Sequence, residues 1–126
     1  VSATERAVEL AAVAAHAAAE KKAANAVAID VSERLAFTDV FLILSAANER
    51  QVRAVVDAVE EAMLAAGVKA RSREGLEEAN WVLLDYADVV VHVLQEEDRE
   101  YYGIERLWKD CPVVPLHADA SAPLEA

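Results

Sequence analysis

The stretch on which the fold turns reads Trp81-Val82-Leu83-Leu84-Asp85-Tyr86-Ala87-Asp88-Val89-Val90-Val91-His92-Val93-Leu94. Two apolar, β-branched runs flank a short polar joint, a pattern that predicts two strands, residues 81–86 and 89–95, in a tight hairpin. Successive side chains of a strand point to opposite faces. Trp81, Leu83 and Asp85 therefore share one face, and Val82, Leu84 and Tyr86 share the other. A hairpin that only stabilises a fold has no need of Trp81, Asp85, Asp88 and His92 together. Any function written in this sequence is expected there.

Upstream, residues 69–74 alternate basic and small side chains, as an exposed edge strand does, and residues 75–80 read as a polar loop. Before them Asn48-Glu49-Arg50-Gln51 is a capping signal. Val52, Val55, Val56, Val59 and Met63 then recur at helical spacing, and Gly67 supplies the stop. Residues 27–31 and 38–44 read as strands, the second apolar enough to be buried on both faces. The N-terminal segment predicts an alanine-rich helix to about Lys22, capped at Ser2 with Glu5 three residues on. With only Val8, Leu10 and Val13 as large apolar groups, it is expected to lie on the fold rather than inside it.

Downstream, residues 95–98 place acids at the start of a helix, and Arg106 and Lys109 place bases at its end, as the helix dipole favours. Tyr101, Ile104, Leu107 and Trp108 form its expected inner stripe, and Pro112 ends it. The element order is α-β-β-α-β-β-β-α. Strands that are not separated by helices throughout argue for an α/β fold of mixed type, a sheet of about five strands with helices packed on it. The 126 residues suffice for one core. One domain over residues 1–116 is expected, with residues 117–126 a flexible tail.

The net charge is −11, from 23 acids and 12 bases. Tracking a phosphate backbone needs cations, and the basic cluster is confined to Lys69, Arg71 and Arg73, so direct nucleic-acid binding is not expected. A basic protein surface is the natural partner of such a field, and solubility alone is the plainer explanation. The single cysteine, Cys111, allows no internal disulfide and fits a reducing compartment. No membrane segment or leader is apparent, so a cytoplasmic protein without cofactor is expected.

Catalytic patterns are incomplete. Ser45 lacks a nucleophile elbow, Cys111 lies near prolines, and His16, His92 and His117 are not at metal-ligand spacing. Asp30, Asp39, Asp85 and Asp88 fall at strand ends, but no Asp-x-Asp pair or phosphate-cradling glycine loop accompanies them. Their plainer role is capping backbone amides. A nucleotidyltransferase-like use of Asp39, Asp85 or Asp88 with magnesium stays open, as does a self-association module. The face carrying Trp81, Leu83 and Asp85 has the composition of an interface anchor with a charged rim. A tryptophan packed under a helix and an aspartate capping a turn would read the same way.

An ordered set of segments carries a resemblance. Thr38-Asp39 precedes an apolar strand, and Glu49-Arg50-Gln51-Val52 opens a helix. Glu74-Gly75 follows, then Trp81-x-x-x-Asp85-Tyr86-x-Asp88-x-Val90-Val91-His92-Val93, then Tyr102-x-x-Glu105-x-Leu107-Trp108. From about Val27 to Asp110 the chain resembles the ribosome silencing factor (Iojap-like) family. The resemblance implies a nucleotidyltransferase-like α/β sandwich without the catalytic carboxylates, and a non-enzymatic role. It implies binding to the large ribosomal subunit through ribosomal protein fourteen, a steric block to small-subunit joining, and repression of translation when nutrients run short. It also implies a homodimer when free. By position, Trp81 matches the family's interface tryptophan, and Glu74, Asp85 and Asp88 match acids at or supporting that contact. Leu83 joins them from strand alternation. Tyr102, Leu107 and Trp108 match positions expected in the core or the dimer contact. The chain departs from the family pattern at Ala46 and Ala87, where glycine is usual, and at Asn80, where aspartate is frequent. If Ala87 takes a positive φ, alanine costs roughly 1 kcal/mol there.

Overall fold

The computed structural model describes residues 2–116. Helix α1 (Glu5–Glu20) is followed by strands β1 (Ala24–Asp30) and β2 (Val40–Ala46), helix α2 (Glu49–Ala65), and strands β3 (Ser72–Glu74), β4 (Trp81–Asp85) and β5 (Val89–Gln95). Two short helices, α3 (Glu96–Tyr102) and α4 (Ile104–Leu107), and a last strand β6 (Val113–Val114) complete it. The strands form one mixed sheet in the order β3-β4-β5-β2-β1-β6. The central pair, β2 and β5, is parallel and the other neighbours are antiparallel. This is the mixed α/β architecture expected from the sequence, with one strand more.

The added strand is Val113–Val114, which pairs with Ile29 and Ala28 at the edge of β1. Two residues between prolines carry no periodic signal, and only the long-range pairing reveals them. The expected acid-to-base helix is also divided. Gly103 takes a left-handed conformation (φ 53°) that ends α3 and starts α4, so the stripe drawn through it does not stay on one side. Ile104 is buried and Trp108 partly so, whereas Tyr101 and Leu107 are exposed. At the N-terminus the cap is Thr4, not Ser2: its hydroxyl accepts from the Ala7 amide at 3.1 Å. The Asn48 cap forms as expected, accepting from the Gln51 amide at 2.9 Å.

The sheet has two unlike faces. On one, α1 and α2 cover Val40, Leu42, Leu44, Val82, Leu84, Val89, Val91 and Val93, all essentially inaccessible. Helix α1 lies deeper than its sequence suggests. Ala7, Leu10, Ala11, Ala14, Ala15, Ala17 and Ala18 are buried, because side chains this small let a helix approach its neighbours closely rather than holding it off. Two carboxylates tie its start to the sheet: Asp30 accepts from the Ala3 amide at 2.9 Å, and Asp39 from the Thr4 amide at 3.0 Å. On the opposite face, α3 and α4 cover a smaller cluster that includes Ile29, Ile43, Leu94 and Ile104, with Phe41, Trp81 and Trp108 against it. Among the described residues no helix is long and apolar enough to cross a membrane. Residues 117–126, expected as a tail, lie outside the described residues.

Candidate protein-binding face

The hairpin's alternation holds. Val82, Leu84 and Tyr86 are buried toward α2, and Trp81, Leu83 and Asp85 are half-buried on the other face. Cross-strand register builds this outer face row by row. Glu74 lies opposite Leu83, Leu83 opposite His92, and His92 beside Ile43. In the next row Ser72, Asp85, Val90 and Phe41 stand side by side. Glu74, Trp81, Leu83 and Asp85, nominated separately in the sequence, thus share one surface. Asp88 sits exposed at the turn that closes it.

Trp81 is held on three sides. Its indole Nε1 donates to His92 Nδ1 at 3.1 Å, its ring packs against Tyr102 with centroids 5.0 Å apart, and its backbone is clamped by Gly75. A Cβ at Gly75, where φ is 87°, would collide with the Trp81 carbonyl, so only glycine lets the preceding loop close against β4. The sequence shows Glu74-Gly75 as a motif, but not that its glycine positions the tryptophan.

Because Nδ1 accepts, the neutral His92 carries its proton on Nε2, and that nitrogen is buried without a partner among the described residues. Burial pushes the His92 pKa down to about 4, so the ring stays neutral at physiological pH. His92 also meets Phe41 edge to face at 4.7 Å, Phe41 meets Trp108 at 5.1 Å, and the Arg34 guanidinium lies 5.2 Å from the Trp108 ring. With Tyr101 packed on Tyr102 at 4.9 Å, aromatic contacts run unbroken from exposed Tyr101 to Trp108. Such pairs contribute about 0.5–1.5 kcal/mol each beyond area burial.

The polar groups around this face are largely committed. Asp85 caps the turn through the Ala87 amide at 2.8 Å and pairs with Arg71 at 3.2 Å. Ala87 has φ 73°, so the turn keeps the left-handed geometry a glycine would take without strain. Asn80 accepts from Gln95 Nε2 at 3.1 Å, which ties the loop before Trp81 to the start of α3. Ser45 is buried and accepts from Arg99 at 2.8 Å, and Arg99 in turn binds Glu105 at 2.8 Å. Burial opposes ionisation of Glu105, but the Arg99 hydrogen bond and charge outweigh it and hold the carboxyl below its ordinary range.

The carboxylates at the strand ends do not converge. Asp30 and Asp39 anchor α1 and Asp85 anchors the turn, and among the described residues no group of three acids, histidines or cysteines is placed to hold a metal. The magnesium-dependent alternative thus lacks its carboxylate cluster. Leu107, carried over from the family pattern, is two-thirds exposed on α4. Tyr102 is half exposed beside Trp81, and Trp108 packs against the second cluster.

Comparison with known proteins identifies relatives of this chain. The family described as "Ribosomal silencing factor during starvation" matches residues 4–125. The ribosomal silencing factor of Halalkalibacterium halodurans is 39% identical over 108 residues, 86% of this chain and 92% of that protein. A crystal structure of a Chromobacterium violaceum protein superposes with a TM-score of 0.78 at 34% identity, covering 80% of this chain and 84% of that one. A more distant mouse protein, named for mitochondrial assembly of the ribosomal large subunit, is 29% identical over 94 residues, 71% of this chain and 40% of its own.

Proposed function

The chain belongs to the family of ribosomal silencing factors that act during starvation, and from that membership we propose that it binds the large ribosomal subunit through ribosomal protein fourteen. Bound there, it blocks the small subunit sterically and represses translation when nutrients are short. It works by occupying a surface, not by catalysis. The observation that carries this reading is the outer sheet face. A half-buried tryptophan, fixed by His92, Tyr102 and Gly75, stands beside Leu83, which in turn is flanked by the acids Glu74 and Asp85. A rigid aromatic anchor with a charged rim is how a small interface concentrates its energy, and the net charge of −11 suits a basic ribosomal partner. The large-subunit association in the mouse relative's name points the same way.

The test is gradient sedimentation with separated subunits, reading both binding and subunit joining. Trp81→Ala, with its fold checked by circular dichroism, is expected to weaken large-subunit binding by about 2 kcal/mol or more. Wild-type co-sedimentation of that variant would remove Trp81 as the anchor. Raising salt is expected to weaken binding, since the rim is exposed, and a flat salt profile would count against the acidic contact. In the free state we place homodimer contacts on α3 and α4, where Tyr101, Tyr102 and Leu107 expose apolar surface. Leu107→Glu is expected to shift sedimentation velocity toward the monomer, and an unshifted profile would move the contact elsewhere.

A further inference from the structure

The basic cluster of residues 69–73 is not absorbed by the partner face. Arg71 turns to Asp85, but Lys69 and Arg73 line a cavity of about 290 Å³ on the helix side of the sheet, together with Glu60, Leu64, Val68 and Tyr86. The volume is at the lower end of the range for small-molecule sites. Leu64, 62% exposed, and Val68 supply apolar wall. Tyr86 is 3% exposed, and its hydroxyl is buried with no hydrogen-bond partner among the described residues. Leaving such a group unmet costs about 1–3 kcal/mol, which a ligand head that reaches it on entering the cavity recovers. Burial, and then the neighbouring Glu60 carboxylate, push the Tyr86 pKa up to about 12, which keeps the hydroxyl a donor at neutral pH.

The charges choose the ligand. Glu60 is engaged by Arg73 through both oxygens, at 3.0 and 3.2 Å, whereas Lys69 has no ion pair among the described residues. Two cations against one carboxylate give this wall a positive balance in a chain of net charge −11. We propose that the cavity binds a small amphiphilic anion, its apolar body against Leu64 and Val68 and its acidic head received by Lys69, Arg73 and the Tyr86 hydroxyl. Glu60 yields Arg73 to the incoming head, an exchange between two side chains that both reach solvent. The site does not rest on the ribosomal reading, since it lies on the opposite face of the sheet from Trp81.

The test is a titration of the isotope-labelled full chain with octanoate, octanol and octylamine, followed by amide chemical shifts. Saturable octanoate shifts at residues 64–73 and 86 are expected, with affinity about tenfold above that for octanol, the size of one hydrogen bond to a charged group, and no comparable octylamine binding. Tyr86→Phe removes only an unpaired hydroxyl, so it is expected to melt no lower than wild type and to bind octanoate about tenfold more weakly. Lys69→Ala is expected to erase the preference over octanol. Equal response to the three probes, shifts centred elsewhere, no saturation, or unchanged octanoate binding by Tyr86→Phe would each overturn the proposal.

Discussion

The two faces of one sheet divide the work of this molecule. Toward α1 and α2 the side chains are valine, leucine and alanine, fully buried, with little hydrogen bonding to satisfy. Toward α3 and α4 buried aliphatics such as Ile43 and Leu94 are joined by partly exposed aromatics, held by specific contacts such as the indole-to-imidazole bond of Trp81 and His92. Aliphatic burial scales with area and hardly depends on direction. An anchor for a partner must instead keep one rotamer while still reaching solvent, and directional contacts provide that. Strand alternation alone separates the aliphatic core from the face proposed for recognition, residue by residue along β4.

Substitutions on each face sharpen that contrast. Leu42→Ala on the helix side is expected to lower unfolding free energy by about 4 kcal/mol in urea denaturation, while leaving the proposed large-subunit binding of the surviving folded protein intact. A change smaller than about 1 kcal/mol would mean the aliphatic face is not the main core. On the other face the signature is pH. His92 has a folded pKa of about 4 against an ordinary 6.5, so the unfolded chain takes up a proton over a range where the folded chain does not. The stability present above pH 6.5 should therefore fall as pH drops toward 4, by about 3 kcal/mol in all. His92→Gln is expected to flatten unfolding free energy across that window. An unchanged slope would assign it to other groups. Asp30 and Glu105, held below the ordinary carboxylate range, lose their share only at lower pH.

Smaller effects probe the joint between the faces. Ala87→Gly relieves a φ of 73° and is expected to raise stability by about 1 kcal/mol, read as an upward shift in the melting temperature. A loss would show that the turn holds alanine without strain. Arg71→Ala breaks a largely exposed pair with Asp85 and is expected to change stability by no more than about 0.5 kcal/mol. It should strengthen the proposed binding to large subunits, because it frees Asp85 on the face beside Trp81. Unchanged binding would mean that Asp85 serves the turn alone.

What could be read from the residues follows the range of the interactions. Alternation along residues 81–86 and helical spacing from Val52 to Met63 are local patterns, and both are realised as drawn. The partner of Trp81 is not local. His92 reaches it only because β4 and β5 pair with Leu83 opposite His92, a register that composition does not specify. The clamp by Gly75 depends in the same way on where a loop closes. The depth of α1 is not legible in the sequence because alanine carries little hydrophobic signal, although a tight helix-to-sheet approach requires it. Gly103 gives no sequence sign of the break it makes, because an isolated glycine is tolerated within a helical pattern.

The parallel pairing of β2 with β5 joins residues 40–46 to residues 89–95, and β6 closes the outer edge of β1 with residues 113 and 114. During synthesis, which presents the N-terminal half first, α1, β1, β2 and α2 emerge with a sheet edge open on both sides. Neither the hairpin that carries Trp81 nor the strand that seals β1 can dock until most of the chain has been made. A protein of the silencing family thus completes the face that carries Trp81 only after residues 81–95 have been made, so that shorter nascent chains lack that surface.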